Sequence, residues 1–509
     1  MFLEDRNLAQ LLSKDDAKIY FIGIGGIAMS ASACVAKELG YEVFGSDSQQ
    51  LYPPAKDVVD QNDIHYHAGY SQKQAADAKA DLYILSAGED LSNPEVKYVV
   101  EHNLPRAGFA ELLYELAKDS LRVVVAGTHG KSTTSGLLGH LFKNLDDSSF
   151  VAGAVLQNYQ SNFSKGDGHY FVFEGDEYKN QFDDPTPKFH YYKPDILVLT
   201  NLEFDHPDQF GSLEELENEF AQLIDALPED GLIVYNADDA NLSKLVHRSN
   251  ITAVSFGIDN GADFKAENIQ YGQHTAISVS NNFSKDQVAK LLAKDEDYQI
   301  QLPGKMNVYN ALAGIATLRT LGFTRENIAL DLLSYQGVKR RFEVVGVKNG
   351  ITVVDDYAHH PTAVRETLQA ARLRYFTEAA GNRGEGSDVS HQNAFASTRA
   401  PKLWAVFEPH TFSRTKALLP DLAKSFADAD EVLISEIYPA RESAKDSSIT
   451  TNDVVRAVAA AGGRQKVRLV HDKAEALSII KKEAQKGDVV VVMAVGSFNR
   501  LAYELKEMI

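Results

Sequence analysis

The chain has 509 residues, 44% of them hydrophobic and 24% charged, the composition of a globular protein long enough for about three domains. Lys and Arg number 51 against 71 Asp and Glu, and the net charge of −20 speaks against a non-specific binder of nucleic acid or anionic membrane. The single cysteine, Cys34, excludes an internal disulfide and any cysteine-cluster metal site. In chain order, "KIYFIGIGGIAMSASACVAKELG" reads as a strand, a glycine turn and a helix ending at Gly40. Cys34 falls among the small residues Ala31, Ala33 and Ala36 of that helix, so a buried packing role is expected. "YEVFGSD", closing on Asp47, and "ADLYILSAG" are the next strands of a parallel α/β unit.

A second unit opens at "LRVVVAGTHGKSTT" and continues through "HYFVFEGDE", "PDILVLTNLEFDH" and "DGLIVYNADD". Each is an apolar strand ending in polar or acidic residues, where open α/β sheets place their ligands. A third begins near "GVKRRFEVV" and runs through "ITVVDDYAHHPTAVRETLQAARL", "KLWAVFEPHTFSRTKALL", "DEVLISEIYPARE", "VRLVHD" and "DVVVVMAVGSF". The expected domains are 1-118, 119-336 and 337-509. Within the last, residues 376–402 are polar, rich in Gly, Ser and Asn and aperiodic, and read as an inserted surface loop. No apolar run approaches the roughly 18 residues of a membrane span. The first twenty residues carry charges and no signal-peptide core, so no membrane insertion and a cytoplasmic location are expected.

Several turns carry candidate chemistry. "GIGGIAMS" supplies Gly23 and Gly25 as the first two glycines of G-x-G-x-x-G, with Ala28 in the third place and Asp47 at the end of the following strand. Diphosphate binding and tight packing explain that turn equally well. "GTHGKSTT" breaks the spacing of a Walker loop, since Val125 stands where the first glycine belongs. Yet Gly127 and Gly130 let backbone N–H groups converge, Lys131 supplies a point charge for phosphates, and Ser132 can ligate Mg²⁺. Glu174, Asp176 and Glu177 of "EGDE", and Glu203, Asp205 and His206 of "EFDH", end strands in the same unit and offer hard donors for that cation. Asn307 and Asn310 lie one turn apart at the start of an apolar helix, where capping or contact with a base would use them. Asp355, Asp356, His359, His360, His410 and Arg414 follow strands of the third unit and form a candidate polar site.

In this order the motifs resemble the Mur ligases, the ATP-dependent amide-forming enzymes of peptidoglycan synthesis, over almost the whole chain. "GIGGIAMS", "AGTHGKSTT", "NLEFDH", "DDYAHHPT" and "EPHTFSRT" are similar to the branch acting directly on UDP-N-acetylmuramate. The resemblance implies a Rossmann-like N-terminal domain, a P-loop-type central ATPase domain and a Rossmann-like C-terminal domain. It implies that Gly23, Gly25, Gly26, Ile27, Asp47 and Ser86 hold the UDP-sugar. ATP would meet Gly127, Thr128, His129, Gly130, Lys131, Ser132, Thr133, Asn307, Asn310, Arg341 and Asp356. Met306 replaces the histidine of the family's H-N-x-x-N adenine motif. Mg²⁺ would be bound by Ser132, Glu174 and His206, with Lys131, Glu174 and His206 catalytic, and the amine substrate by His360, His410 and Arg414.

The implied reaction phosphorylates the lactyl carboxylate and lets an amine displace phosphate from the acyl phosphate. "DEYKNQFDDPTPKFHYYKPD" is similar to the ligase that recycles the L-Ala-γ-D-Glu-meso-diaminopimelate tripeptide. "EPHTFSRTKAL" and "EIYPARE" are similar to ligases of L-alanine, and the third-domain motifs weigh towards the amino acid. Two other classes suit parts of the chain. A P-loop phosphotransferase explains the lysine loop but not the first unit. A nucleotide sensor would need neither the strand-end acids nor His410 and Arg414.

Overall fold

The computed structural model describes residues 5–14, 16–204, 209–282, 295–376, 399–440, 442, 448–463 and 465–508. The chain divides into two compact units. One comprises Met1–Glu267, Ser278–Tyr298 and Tyr309–Val338; the other comprises Asn268–Ile277, Gln299–Val308 and Lys339–Ile509.

The first sheet is wholly parallel: β1 (Lys18–Ile22), β2 (Glu42–Asp47), β3 (His65–Ala68), β4 (Leu82–Leu85) and β5 (Arg106–Ala107), in the order β3-β2-β1-β4-β5. Ile19–Ile22 are buried on both faces, which is why β1 reads as a continuous apolar run. Strand order reverses between β1 and β4, and a crevice opens at their carboxyl ends. The helix Ile27–Glu38 follows β1 with Ala31, Ala33 and Cys34 fully buried; small residues let it approach β2, as well as the strands β7 (Ser149–Leu156) and β8 (Ser161–Ser164) of the next sheet. Burial pushes the Cys34 thiol up to about 12, so it stays a protonated, packed side chain, as the sequence pattern implies.

The second sheet begins with β6 (Leu121–Ala126), includes β7, β8 and β9 (Tyr170–Gly175), and is interrupted by the hairpin β10 (Lys179–Gln181) and β11 (Asp184–Pro187). It resumes with β12 (Ile196–Leu199), β13 (Leu232–Asn236), β14 (Thr252–Gly257), β15 (Phe264–Gln270), β16 (Thr275–Asn281) and β17 (Asp295–Ile300). Its order is β17-β16-β15-β14-β13-β12-β6-β9-β7-β8. Strand β6 therefore lies between β12 and β9, parallel to both, with Val123–Ala126 completely buried. The glycine–lysine turn leaves from this innermost strand.

In the third sheet, β18 (Glu343–Lys348) is an antiparallel edge on β19 (Ile351–Asp356). The others, β20 (Leu403–Phe407), β21 (Glu431–Ile434), β22 (Lys466–Leu469) and β23 (Val489–Met493), are parallel, and the order is β18-β19-β23-β20-β21-β22. Several strands not singled out from the sequence are short or half-exposed, although β7, with eight largely buried residues, is neither. In β17, "DEDYQI", exposed and buried residues alternate strictly, so an acidic exterior conceals the strand. Of the predicted insertion at 376–402, residues 377–398 lie outside the described residues. No helix among the described residues is long and apolar enough to cross a membrane.

Candidate functional site

Sequence after β6 turns on two glycines whose conformation and surroundings exclude a side chain. Gly127 has φ +140°, and a Cβ there would overlap the Thr200 hydroxyl and come within 2.9 Å of Asn201 O. Gly130 has φ +81°, with Asn310 Oδ1 2.9 Å from where a Cβ would stand. These glycines let the loop lie directly against the end of β12. Thr128 N and His129 N donate to Asn201 O and Oδ1 at 3.0 and 2.8 Å, Asn201 Nδ2 returns a bond to His129 O at 3.0 Å, and Thr200 Oγ1 donates to the same carbonyl at 2.7 Å. Thr128 Oγ1 both donates to Glu203 O and accepts from Glu203 N. The loop is thus fixed by strand-end residues Thr200, Asn201 and Glu203, and the helix Lys131–Asp146 starts from it with its N-terminal dipole towards the turn.

Lys131 is nearly enclosed. Its ammonium donates to Gly127 O at 2.6 Å, to Thr128 O at 3.3 Å and to both oxygens of buried Glu177 at 2.8 and 3.1 Å. Burial works against the charge, but Glu177, Asp176 and Glu174 outweigh it and hold the ammonium above its usual pKa. Glu174, at the end of β9, accepts from Ser132 Oγ at 2.9 Å, Ser135 Oγ at 3.2 Å and Gly153 N at 2.7 Å. Its burial raises the carboxyl pKa, which a divalent cation would reverse. Asp176 is tied to Lys188 at 2.9 Å. The structure thus brings Gly127, Thr128, His129, Gly130, Lys131, Ser132 and Glu174 together beyond the ends of β6 and β9, and Thr133 O accepts from Tyr335 OH at 3.1 Å. His206, assigned with them from the sequence, lies outside the described residues.

Asn307 and Asn310 both begin the helix Lys305–Thr320. Asn307 Nδ2 donates to Pro303 O at 2.7 Å, a local bond at the helix start, whereas Asn310 Oδ1 accepts from Thr134 Oγ1 at 3.0 Å on the phosphate-loop helix. Asn310 thereby also helps to hold the helix that follows the loop.

At the first sheet's crevice, Gly23, Gly25, Gly26, Ile27, Asp47 and Ser86 do converge. A Cβ on Gly23 would stand 2.8 Å from Ser86 Cβ, and one on Gly25 would stand 2.7 Å from Asp47 Oδ2. Asp47 Oδ2 accepts from Gly25 N at 2.8 Å and so organises the turn itself. Ile27 O accepts from Asn162 Nδ2 at 2.9 Å, a contact with β8 that no sequence motif marks.

In the other unit, Asp356 Oδ2 accepts from Phe342 N at 2.8 Å and Thr367 Oγ1 at 3.3 Å, and Oδ1 accepts from Ala358 N at 2.7 Å. Burial raises its carboxyl pKa against the pull of Arg341. Its visible work is to fasten the turn that carries Arg341, whose guanidinium lies 5.0 Å from the centroid of the Tyr357 ring. From Tyr357 a line of rings runs to His359 (5.4 Å), His410 (5.5 Å) and Tyr438 (5.9 Å). His360 caps the helix Pro361–Tyr375, accepting from Thr362 N at 3.3 Å. Arg414 is buried at the start of the helix Phe412–Lys424. Asp356, His359, His360, His410 and Arg414 all follow carboxyl ends of β19 or β20.

Three family models match in succession: Mur ligase family, catalytic domain over residues 18–120; Mur ligase middle domain over 125–318; and Mur ligase, glutamate ligase domain over 340–496. The chain is 33% identical to the UDP-N-acetylmuramate–L-alanine ligase of Clostridium acetobutylicum, covering 95% of this chain and 96% of that one. It is 34% identical to the same-named enzyme of Acetivibrio thermocellus, over 96% and 95%. Among solved structures, the UDP-N-acetylmuramate–alanine ligase of Thermotoga maritima shares its fold, with TM-score 0.74 at 24% identity over 96% and 98% of the two chains. The murein peptide ligase of Psychrobacter arcticus is similar with TM-score 0.66 at 25% identity over 97% and 98%.

Proposed function

The chain belongs to the Mur ligase family, whose members are ATP-dependent amide-forming enzymes of peptidoglycan synthesis, and we propose that it joins L-alanine to the lactyl carboxylate of UDP-N-acetylmuramate. The observation that carries a phosphoryl-transferring reaction is the glycine turn that encloses Lys131 beside the Ser132–Glu174 pair. The choice of substrates rests on the similarity to two UDP-N-acetylmuramate–L-alanine ligases, matched over 96% and 95% of their length. Residues 1–118 are assigned to the UDP-sugar, 119–336 to ATP and 337–509 to the amine.

In this reading the loop N–H groups and Lys131 bind the ATP phosphates. The lactyl carboxylate takes the γ-phosphoryl group, ADP departs, the amine attacks the acyl phosphate, and the tetrahedral adduct loses a proton and inorganic phosphate as the amide forms. Ser132 Oγ and the Glu174 carboxylate are hard oxygen donors already in contact at 2.9 Å, the chemistry Mg²⁺ requires, and they would hold it with His206. Bound there, the ion neutralises charge on the phosphate oxygens. Glu177 keeps Lys131 charged and in place until phosphate arrives. His360, His410 and Arg414 are assigned to the amine.

A second reading, attachment of the L-Ala-γ-D-Glu-meso-diaminopimelate tripeptide, is favoured by the segment around β10 and β11 and by the likeness to the murein peptide ligase. Incubation with ATP, Mg²⁺ and UDP-N-acetylmuramate, adding one amine at a time, separates these. Phosphate release that requires both the muramate and L-alanine supports the proposal. Release only with the tripeptide selects the second reading. Release without any amine points to a phosphotransferase or ATPase, and no turnover to a sensor.

A further inference from the structure

The segment joining Val338 to β18 is "KRRFE", and it is a strained turn held by charges. Arg340 and Phe342 have φ of +62° and +46°, left-handed values that residues bearing a Cβ adopt only when their surroundings enforce them. Here the enforcement is dense. Arg340 N donates to Glu343 Oε2 at 2.9 Å, Tyr357 N donates to Arg340 O at 2.8 Å, and Phe342 N is fixed by Asp356. The Arg340 guanidinium donates to Ala494 O at 2.7 Å and Val495 O at 3.1 Å, at the end of β23. Arg341 stands between the two left-handed residues, so its direction depends on whether this turn holds.

One member of the cluster holds no backbone N–H. Asp355 is completely buried on β19, and the neutral side chain that acts on its carboxylate is Asn499. The Arg340 Nε lies 3.9 Å from Asp355 Oδ2, an ion pair without a direct bond. The other charged or titratable groups facing this pair are Glu343 on β18, Asp356 beside it, Tyr503 on the helix Arg500–Met508, and Glu408 after β20. All are acids; Arg341 acts on Asp356, and Arg340 is the cation that Asp355, Glu408 and Tyr503 share. Burial pushes the Asp355 carboxyl up to about 7, with Arg340 pulling the other way and Glu343 and Asp356 adding to the rise. A raised carboxyl pKa means that the protonated form favours folding. That contribution is complete below the ordinary value of 3.8 and is lost as pH rises through about 7. An ionised Asp355 therefore weakens the fold at neutral and alkaline pH, where an asparagine would not. A group kept at the expense of stability invites a functional explanation.

We infer that Asp355 is a positioning residue: its buried carboxylate anchors the Arg340 guanidinium against the end of β23 and thereby fixes the strained turn that carries Arg341. The inference rests on the contact of Arg341 with ATP that the family resemblance implies, an exception to the assignment of residues 337–509 to the amine. Ionised, Asp355 supplies the counter-charge that keeps Arg340 on the two carbonyls. Protonated, it leaves the guanidinium to the more distant acids, and the turn relaxes.

The test compares the full-length wild type with Asp355→Asn, measuring ATP dissociation constants by calorimetry and thermal midpoints from pH 5.5 to 8.5. Asparagine keeps the shape and removes the charge. ATP affinity of the wild type is expected to weaken as pH falls through 7, whereas Asp355→Asn binds about tenfold more weakly at pH 8, in line with a displaced binding group, and lacks that step. Titration of ATP's own terminal phosphate is common to both proteins and cancels in the comparison. At pH 8 the variant should also melt higher than the wild type, with the difference shrinking towards pH 5.5. Higher stability with weaker ATP binding is a combination that a purely structural carboxylate would not give. Wild-type ATP affinity and an unchanged pH step in Asp355→Asn would overturn the inference. If that variant does not fold, Arg340→Lys, which keeps the charge but loses the forked donor, is expected to weaken ATP binding similarly; unchanged binding there overturns it too. Failure of the proposed reaction shows separately, as wild-type protein that binds ATP but releases no amine-dependent phosphate.

Discussion

Replacing Glu177 by glutamine removes the counter-charge from Lys131 while keeping an oxygen that can accept its hydrogen bond. The pair is buried and doubly bonded, at 2.8 and 3.1 Å, and breaking such a pair from one side costs about 3–5 kcal/mol because the other charge is stranded. Glu174 and Asp176 still act on the ammonium, and Gly127 O and Thr128 O still accept from it, which places the expected loss at the lower end, about 3 kcal/mol. At about 2 °C per kcal/mol for a domain of some 200 residues, the melting midpoint falls by about 6 °C. Phosphate oxygens restore the missing charge, so saturating ATP should raise the midpoint more in the variant than in the wild type. Differential scanning fluorimetry with and without ATP reads both effects. A variant as stable as the wild type, or one that ATP stabilises less, would refute Glu177 as the charge that holds Lys131.

Lys131→Ala should abolish phosphate release while UDP-sugar binding, measured by calorimetry, survives; retained turnover would sink the phosphate-loop assignment. Gly127→Ala drives a methyl group into the Thr200 hydroxyl at φ +140°, and is expected to lower ATP affinity at least tenfold, read by equilibrium binding, with the first sheet's ligand unaffected. Gly25→Ala should do the converse, since its Cβ meets Asp47 and Leu51, and calorimetry with each nucleotide distinguishes the two. His140 is buried between Tyr159 OH at 2.9 Å and Ser334 Oγ at 2.8 Å, and burial holds its pKa below the ordinary 6.5. Its contribution to stability is therefore present above pH 6.5 and lost as pH falls through the lowered value, so His140→Asn should flatten the melting-temperature profile on the acid side of 6.5.

The parallel sheets and the phosphate turn were legible because the physics that forms them is local. A strand buried on both faces must be apolar throughout, as Val123–Ala126 are, and a loop that brings N–H groups together needs glycine at Gly127 and Gly130. The turn at Gly23 and Gly25 was legible in the same way. Less visible were strands such as β17, whose exposed face is acidic, and the hairpin of β10 and β11, whose buried side chains include Asn180 and Gln181 rather than an apolar run. Spacing does not show which bonds two residues of one helix make. Asn307 and Asn310 share a face, yet one bonds at the helix start and the other bonds Thr134.

What the sequence hides most completely is the difference between a residue that meets a ligand and one that holds the residue that does. Asp47, Asp356 and His360 each occupy a motif position that points to substrate, and each accepts hydrogen bonds from the backbone of its own turn. Such residues are needed because a ligand-binding turn must be kept in a conformation that the chain would otherwise leave, at about 1–3 kcal/mol for each left-handed residue. Arg340 and Phe342 illustrate the requirement, since both are left-handed and both are fastened by neighbouring carboxylates. Carboxylates suit the task because one side chain can accept from several backbone N–H groups at once, as Asp356 does from Phe342 and Ala358. A cluster of acids at a strand end therefore signals a strained turn as readily as a metal. Glu174 differs from Asp356 in one respect: two of its three donors, Ser132 and Ser135, are hydroxyls that can rotate away, so its oxygens can be given to a cation without loosening the backbone. That distinction, between carboxylates bonded by hydroxyls and those bonded by N–H groups, separates Glu174 from Asp356 in this chain.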